Sequence, residues 1–352
     1  MLRFSLLLLL VAGFAAWWWS APPQTVLVSS TPEVMAAQPI HSQSAAPATQ
    51  PPALLQPVLA NVAVAYELSN RYPDYSLPLA EHQVDLLQPN RGAAIERDLN
   101  LVGLPGSLLV QLDAFRYRQG DPIQATVVLS GGDDLQVQVS SLTAEVQNSA
   151  GETVYEPQWQ QQRDGQQLTL TAEFDAHASW PQELLLAAQL TLTDRQDMRQ
   201  TAPFRVFDAV AEITGTDPLQ RGNNELLIPV RVARAKAGFY KLSANVYIDG
   251  QQPLAHLQGK ARIGSSGVIP LKLHGSLLAG LPSPQRLSLH DLQLRRIPVK
   301  PGNDEQVEWG YSQSAVLELG DVATQGFYQQ PYQDEQIAQR LQFLQQLGTP
   351  AQ

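Results

Sequence analysis

The side chains able to do chemistry are few and scattered. The chain carries six histidines, His41, His82, His177, His256, His274 and His290, and no cysteine. Without thiols there is no cysteine nucleophile, no Cys-ligated metal, no disulfide framework and no lipid-modified N-terminal cysteine. None of the histidines stands in an H-E-x-x-H or H-x3–5-H spacing. His256, His274 and His290 fall on three strand-like stretches. Three imidazoles on neighbouring strands can bind zinc, but alternation puts each on either face, so ordinary surface or hydrogen-bonded histidines are the simpler reading. The run GGDD at Gly131–Asp134 could place two carboxylates in a turn for calcium; a solvated hairpin is the simpler reading. Asp175 with His177, and His290 with Asp291, are local acid–imidazole pairs without a visible nucleophile or pocket. There is no G-x-S-x-G elbow and no phosphate-cradling glycine loop. The expectation is a non-catalytic protein with no cofactor and no metal.

One segment concentrates unusual residues: YPDYSLPLAEHQVDLLQPNR, Tyr72–Arg91. His82 and Asp85 lie three apart, with Asp74 near, a weak catalytic arrangement. As a docking strap the segment is better equipped. Tyr72, Tyr75, Leu77, Leu79, Leu86 and Leu87 are anchors, and Pro73, Pro78 and Pro89 restrict the chain before it docks. The strap is expected to lie against the first folded domain. Leu79–Leu87 and Ala93–Leu99 read as short helices.

The elements that must carry any surface are strands. From Gly106 onward apolar and polar residues alternate, with turn residues every eight to twelve positions. Ile123, Ala125, Val127 and Leu129 share one face, as do Leu168, Leu170, Ala172 and Phe174, and Leu184, Leu186, Ala188, Leu190 and Leu192. Such spacing predicts a mainly β chain of two tandem Ig-like antiparallel β-sandwiches, over 106–207 and 208–325. A helical or irregular strap, 66–105, precedes them. The tail, 326–352, holds an amphipathic helix, with Asp334 as N-cap and Gly348 as stop. A lone helix of that length is marginal, so it must pack against something. The 352 residues, 44% hydrophobic, suffice for two cores.

Ahead of the strap, MLRFSLLLLLVAGFAAWWWS has a basic Arg3 and an apolar run, Phe4–Ala16, the layout of an export signal over 1–21. Gly13 and Ala15 suit cleavage, whereas Trp17, Trp18 and Trp19 resemble an interfacial belt that would retain residues 4–19 as an inner-membrane tether. Both fates fit the residues. Residues 22–65, rich in Pro, Ala, Ser, Thr and Gln, read as a disordered linker. The chain is expected to be exported: periplasmic, tethered or secreted, touching membrane only through this N-terminal segment.

Charge is strongly segregated. The net charge is −10. From Tyr66 to Phe207 there are nine basic and nineteen acidic residues; from Asp208 to Lys300, twelve and six; from Pro301 to Gln352, one and seven. Every lysine lies in the middle block: Lys236, Lys241, Lys260, Lys272 and Lys300. With Arg231, Arg234, Arg262, Arg286, Arg295 and Arg296 they make the second domain basic. One reading is internal neutralisation by the acidic tail and first domain. The other is an anion-binding face of Arg231, Arg234, Lys236, Lys241, Lys260, Arg262, Lys272, Arg295 and Arg296 for an envelope glycan or anionic lipid. Nucleic acid is not expected, since no basic-aromatic module is present.

The motifs Tyr75-Ser76-x-Pro78-Leu79 and Leu87-x-Pro89-Asn90 resemble the N-terminal portion of an uncharacterised family of exported gammaproteobacterial proteins. The stretches Ala237–Ala244 and Leu289–Leu294 resemble it too. The resemblance covers about Tyr66 to Tyr332 and implies tandem bacterial Ig-like domains behind a signal and a spacer. It carries no activity and no site residues. The expected function is binding or scaffolding through sandwich surfaces, toward an envelope protein, glycan or anionic lipid; the alternative is an accessory polysaccharide- or anionic-lipid-binding module of secretion or hydrolase machinery.

Overall fold

A computed structural model describes residues 55–100, 103–132, 139–193, 197–298 and 307–348. The leader, most of the linker, the two acids of the GGDD run and Lys300 lie outside these residues. Helix α1 (Gln56–Ser69) and strand β1 (Ser76–Pro78) come first, then the single-turn α2 (Val84–Leu87) and β2 (Ala94–Asp98). Strands β3 (Gly106–Leu112), β4 (Arg116–Arg118), β5 (Pro122–Gly131), β6 (Val139–Asn148) and β7 (Thr153–Tyr155) follow. They are succeeded by β8 (Gln160–Asp164), β9 (Gln167–Asp175), β10 (Glu183–Leu192) and β11 (Met198–Phe207). The second half contains β12 (Glu212–Thr216), β13 (Gln220–Gly222), β14 (Glu225–Ala233), β15 (Gly238–Ile248), β16 (Gln252–Ile263) and β17 (Gly267–His274). A helical turn α3 (Gly275–Leu278), β18 (Gln285–Ile297), β19 (Glu308–Trp309), β20 (Tyr311–Ser312), β21 (Leu317–Val322) and helix α4 (Glu335–Gly348) complete the chain.

The sheets pair off as two sandwiches. In the first, β2-β3-β5-β9-β8 faces β4-β11-β10-β6-β7. In the second, β1-β16-β15-β18-β19, with β21 also on β18, faces β13-β14-β12-β20, with β17 also on β14. The fold is therefore mainly β, a tandem of Ig-like antiparallel sandwiches with a C-terminal helix; among the described residues only β4–β11 and β12–β20 pair in parallel. The alternating residues behave as their period requires. Ile123, Val127, Leu170, Leu186 and Leu190 are buried in the first core, and Ile228, Leu242, Leu257 and Leu289 in the second. Each such side chain contributes about 1.5–3 kcal/mol on leaving water. A buried tyrosine ties the chain in each sandwich: Tyr117 donates to Asp113 Oδ1 at 2.7 Å, and Tyr240 donates to the Lys236 carbonyl at 2.7 Å. Both sandwiches fall within one compact unit.

Three local expectations are corrected. The linker was to run to residue 65, but Gln56–Ser69 is helical, with proline in its first turn where the missing N–H costs nothing. This helix packs on α4, and each supplies the partner the other needs. Ala93–Leu99 is not a helix: Ala94–Asp98 is a strand paired with β3, and its five residues are all exposed. As a solvent-facing edge strand it has no alternating pattern to betray it, and its charges discourage further pairing. The helix placed at Leu79–Leu87 shrinks to Val84–Leu87, because Leu79 is buried in an extended stretch. The tail helix has the expected start: Asp334 Oδ1 accepts from the N–H groups of Gln336 at 2.9 Å and Ile337 at 3.1 Å.

Candidate functional site

The strap docks on the second sandwich, not the first. Ser76, Leu77 and Pro78 pair with Leu257, His256 and Ala255, so β1 covers the open edge of β16. Backbone addition to a sheet edge needs no particular side chains, and Pro78 is tolerated because β1 is itself the outer strand. Side chains then fix the register. Ser76, fully buried, accepts a 3.0 Å bond from the His274 N–H, and Tyr75 donates to Glu225 while meeting Tyr332 edge-on at 6.0 Å. Burial, then the Glu225 carboxylate, push the Tyr75 hydroxyl well above the usual phenol range.

Beyond β1 the strap crosses the outward face of the β16-β15-β18 sheet. Asn245 sits on that face yet is 1% exposed, because the strap lies over it. Its amide donates to the Leu86 carbonyl at 2.6 Å and to Asp291 Oδ2 at 2.9 Å, and its Oδ1 meets His256 Nδ1 at 2.7 Å. Burial raises the Asp291 carboxyl, with Asn245 opposing. The strap ends at Asn90, which is bonded in both directions to the Arg116 backbone, at 2.9 and 2.8 Å. One segment thus links an edge of the second sandwich to the start of the first.

The histidines do not converge. His256 is held by Asn245, His290 packs on Tyr247 at 4.4 Å and bonds Ser288, and His274 lies in the opposing sheet against Tyr332. Among the described residues no group of three His, Cys, Asp or Glu side chains is placed to hold a metal. His82, Asp85 and Asp74 are all exposed. His177 bonds Ser179 in its own turn at 2.7 Å.

Two buried histidines are expected to make the strap pH-sensitive. Burial lowers the pKa of His256, with Lys241 adding to the effect; burial also lowers that of His274, against the pull of Glu225. A depressed imidazole means the unfolded or undocked chain binds more protons, so the stabilisation is present above the ordinary value and lost as pH falls through the folded one. Lowering the pH from about 7 to about 5 is expected to raise amide exchange across residues 76–90. His256→Gln should remove part of the dependence; a flat exchange profile over that range would contradict it.

The nine cations singled out from the sequence separate into two groups. Five have carboxylate partners: Arg231 with Asp217 at 2.9 Å, Arg234 with Glu212 at 3.3 Å, Lys272 with Glu225 at 3.0 Å, and Lys236 and Arg296 both with Glu308 at 2.7 and 2.6 Å. Burial would raise Glu308, but hydrogen bonds and charge from Lys236 and Arg296 outweigh it and hold the carboxyl below the usual range. These partners all belong to the second sandwich; helix α4 contributes none of them. Neutralisation by the first sandwich is therefore corrected: Asp217, Glu212 and Glu225 lie in the same domain as their cations, whereas Glu308, which pairs Lys236 and Arg296, comes from the acidic stretch that begins at Pro301.

The other four, Lys241, Lys260, Arg262 and Arg295, share the outward face of β16-β15-β18, and no ion pair reaches them among the described residues. Lys260, Lys241 and Arg295 stand directly opposite one another on three adjacent strands, and Trp309 on β19 continues the row. Phe239 lies in the next row between Arg262 and Ile297. Burial lowers the Lys241 pKa, and the charges that act on it, from Arg295 and Lys260, push the same way. Arg295 Nε is buried without a hydrogen-bond partner.

At the end of this row the first sandwich contributes residues that sequence reading overlooked. Arg116 stacks on Trp309 at 4.1 Å and Arg118 on Tyr311 at 4.3 Å, while Arg295 approaches Trp309 from its own strand at 5.6 Å. Arg116 also donates to the Pro89 carbonyl at 2.9 Å and to Gln293 Oε1 at 2.5 Å. Burial, with Arg295 and Arg205 nearby, lowers its pKa to about 10. A cleft of about 510 Å³ opens beside it, lined by Arg205, Glu183, Phe207, Glu308 and Trp309 among others. The sequence signal was present as two arginines two apart in FRYR and two aromatics two apart in WGY, but Arg116 lies in the acidic block and was passed over.

Fold and surface together define a two-domain β-sandwich protein with a strap across the junction and a basic sheet face that no ion pair reaches among the described residues. No protein-family model matches the chain, and no curated protein matches it. Among solved structures it is similar to a DUF4785 family protein from Legionella pneumophila, at 18% identity over 54% of this chain and 52% of that one, with a TM-score of 0.37. It is also similar to the secreted serine protease VesC from Vibrio cholerae, at 9% identity over 55% and 51%, with a TM-score of 0.23. Titin domains A168–A170 match at 10% identity over 57% and 60%, with a TM-score of 0.21. The chain spans 52% and 51% of the Legionella and Vibrio chains.

Proposed function

We propose that this chain is an exported, non-catalytic envelope protein whose two sandwiches act together as a binding or scaffolding module. The observation that carries the reading is the strap. It runs from a sheet edge of the second sandwich, over Asn245, to Asn90 and Arg116 of the first, so the module presents a fixed surface rather than two independent beads. Supporting it, His256 and His290 are hydrogen-bonded to local side chains and His274 meets the Tyr332 ring edge-on. The leader, with Arg3 and the apolar Phe4–Ala16, supports export to the periplasm, tethered there or released. Among the described residues no helix is long and apolar enough to cross a membrane.

The accessory reading, a module that engages polysaccharide or anionic lipid, is favoured by the unpaired row of Lys260, Lys241 and Arg295. The test is to express the full chain with its own leader, fractionate the cells and crosslink in the intact envelope. Recovery in the envelope or medium with discrete crosslinked partners is expected. Retention in the cytoplasm would overturn export, and a turnover activity that co-purifies to homogeneity would overturn the non-catalytic assignment.

A further inference from the structure

We propose that the outward face of the β16-β15-β18 sheet binds an anionic polysaccharide, with Lys241, Lys260, Arg262 and Arg295 meeting its acidic groups and Phe239 supporting its sugar rings. The proposal rests on the reading of the chain as an exported binding module and names what that module binds.

Three features point to a ligand. Like charges directly opposite in an antiparallel sheet are destabilising, and here two such contacts, Lys260–Lys241 and Lys241–Arg295, share one row. The same domain pairs six of its other basic residues, Arg231, Arg234, Lys236, Lys272, Arg286 and Arg296, with carboxylates. Among the described residues the row is thus unpaired in a domain that pairs most of its other charges. Arg295 keeps a buried Nε without a partner, and the desolvated Lys241 is crowded only by further cations. An arriving anion relieves the mutual repulsion of Lys260, Lys241 and Arg295.

The chemistry around the charges selects the class of anion. Strands lie about 4.8 Å apart, so the three cations sample a span of roughly 10 Å across the strands, suited to an extended polymer bearing acids at intervals. Trp309 closes one end of the row and Phe239 flanks its middle. An aromatic face such as that of Phe239 packs against the apolar faces of sugar rings, which an acidic peptide does not offer. Gln258, on the same face, adds an amide able to donate to and accept from hydroxyls. A bilayer matches the charge, but Phe239 and Ile297 on this face are half-buried rather than projecting for insertion. The overall charge of −10 also opposes indiscriminate capture of polyanions, so binding must use a local basic surface.

The experiment titrates the full chain with dextran sulfate and polygalacturonate, and with neutral dextran and phosphatidylglycerol-containing vesicles as comparisons, at low and high salt. Salt-sensitive binding of the two acidic polymers is expected, with none to neutral dextran and weaker association with vesicles. K241Q/K260Q should weaken polymer binding about tenfold, and R231Q/K272Q, which removes paired cations, by less than about twofold. K260E, at an exposed position, is the safeguard should the double variant fold poorly; it should lower affinity about fivefold with an unchanged melting temperature. The proposal is overturned if neither acidic polymer binds, if the two double variants lose affinity equally, or if vesicles bind more tightly than both polymers. Envelope fractionation and crosslinks that persist in such a case would leave the module reading standing, whereas a cytoplasmic chain that binds polymer in vitro would remove that reading and leave the face.

Discussion

Asn245→Leu is expected to destabilise the protein by about 3 kcal/mol and to free the strap, although the replacement nearly matches the amide in size. Asn245 serves three groups at once: the Leu86 carbonyl, the Asp291 carboxylate and the His256 ring. At 1% exposure, water cannot replace it. Leucine would leave all three without their partner, and each buried orphan costs roughly 1–3 kcal/mol, partly offset by the added apolar burial. The melting temperature should fall by roughly 6–12 °C. Amide exchange should rise first across residues 76–90, because Leu86 is the strap's bond to the sheet face. A loss below about 1 kcal/mol, or exchange that rises evenly along the chain, would show that the ladder at Ser76–Pro78 suffices to hold the strap.

How much of this was legible in the sequence depends on what each feature is made of. Alternation revealed the cores, because a side chain in a strand has two faces and only one can be apolar; Ile123, Val127, Leu170 and Leu186 are where that period puts them. The strap's destination was hidden, because three residues joining a sheet edge by backbone bonds carry no mark of which edge lies open. The cationic row was half legible. Lys260 and Arg262 are two apart on β16 and must share a face. Their alignment with Lys241 depends on a bulge between Val246 and Tyr247. The turn at Asp249 and Gly250, both with positive φ, sets a register in which Lys241 would face Gly259 and Lys260 would face the core residue Tyr240. The bulge shifts the strand by one and places both lysines outward. Charge counts over long blocks averaged this away, together with the difference between paired and unpaired cations.

Arg116→Ala is expected to uncouple the sandwiches. A single cooperative thermal transition should split into two as about 2–4 kcal/mol of coupling is lost. The magnitude follows from what the guanidinium does: it stacks on Trp309, bonds the end of the strap at Pro89 and bonds Gln293 on β18. It is the side chain that meets strap, first sandwich and second sandwich together. Arg116→Lys should recover less than half of the loss, because an ammonium keeps the charge but not the planar stack or the two-way fork. Arg118→Ala should have a smaller effect, since Arg118 remains engaged with Asp121 in its own sandwich and meets only Tyr311 across the junction. Differential scanning calorimetry of the three variants distinguishes the roles. One unsplit transition at an unchanged midpoint in Arg116→Ala would mean that the strap alone joins the domains. Full rescue by lysine would mean that charge, rather than the stacked plane, holds the junction closed.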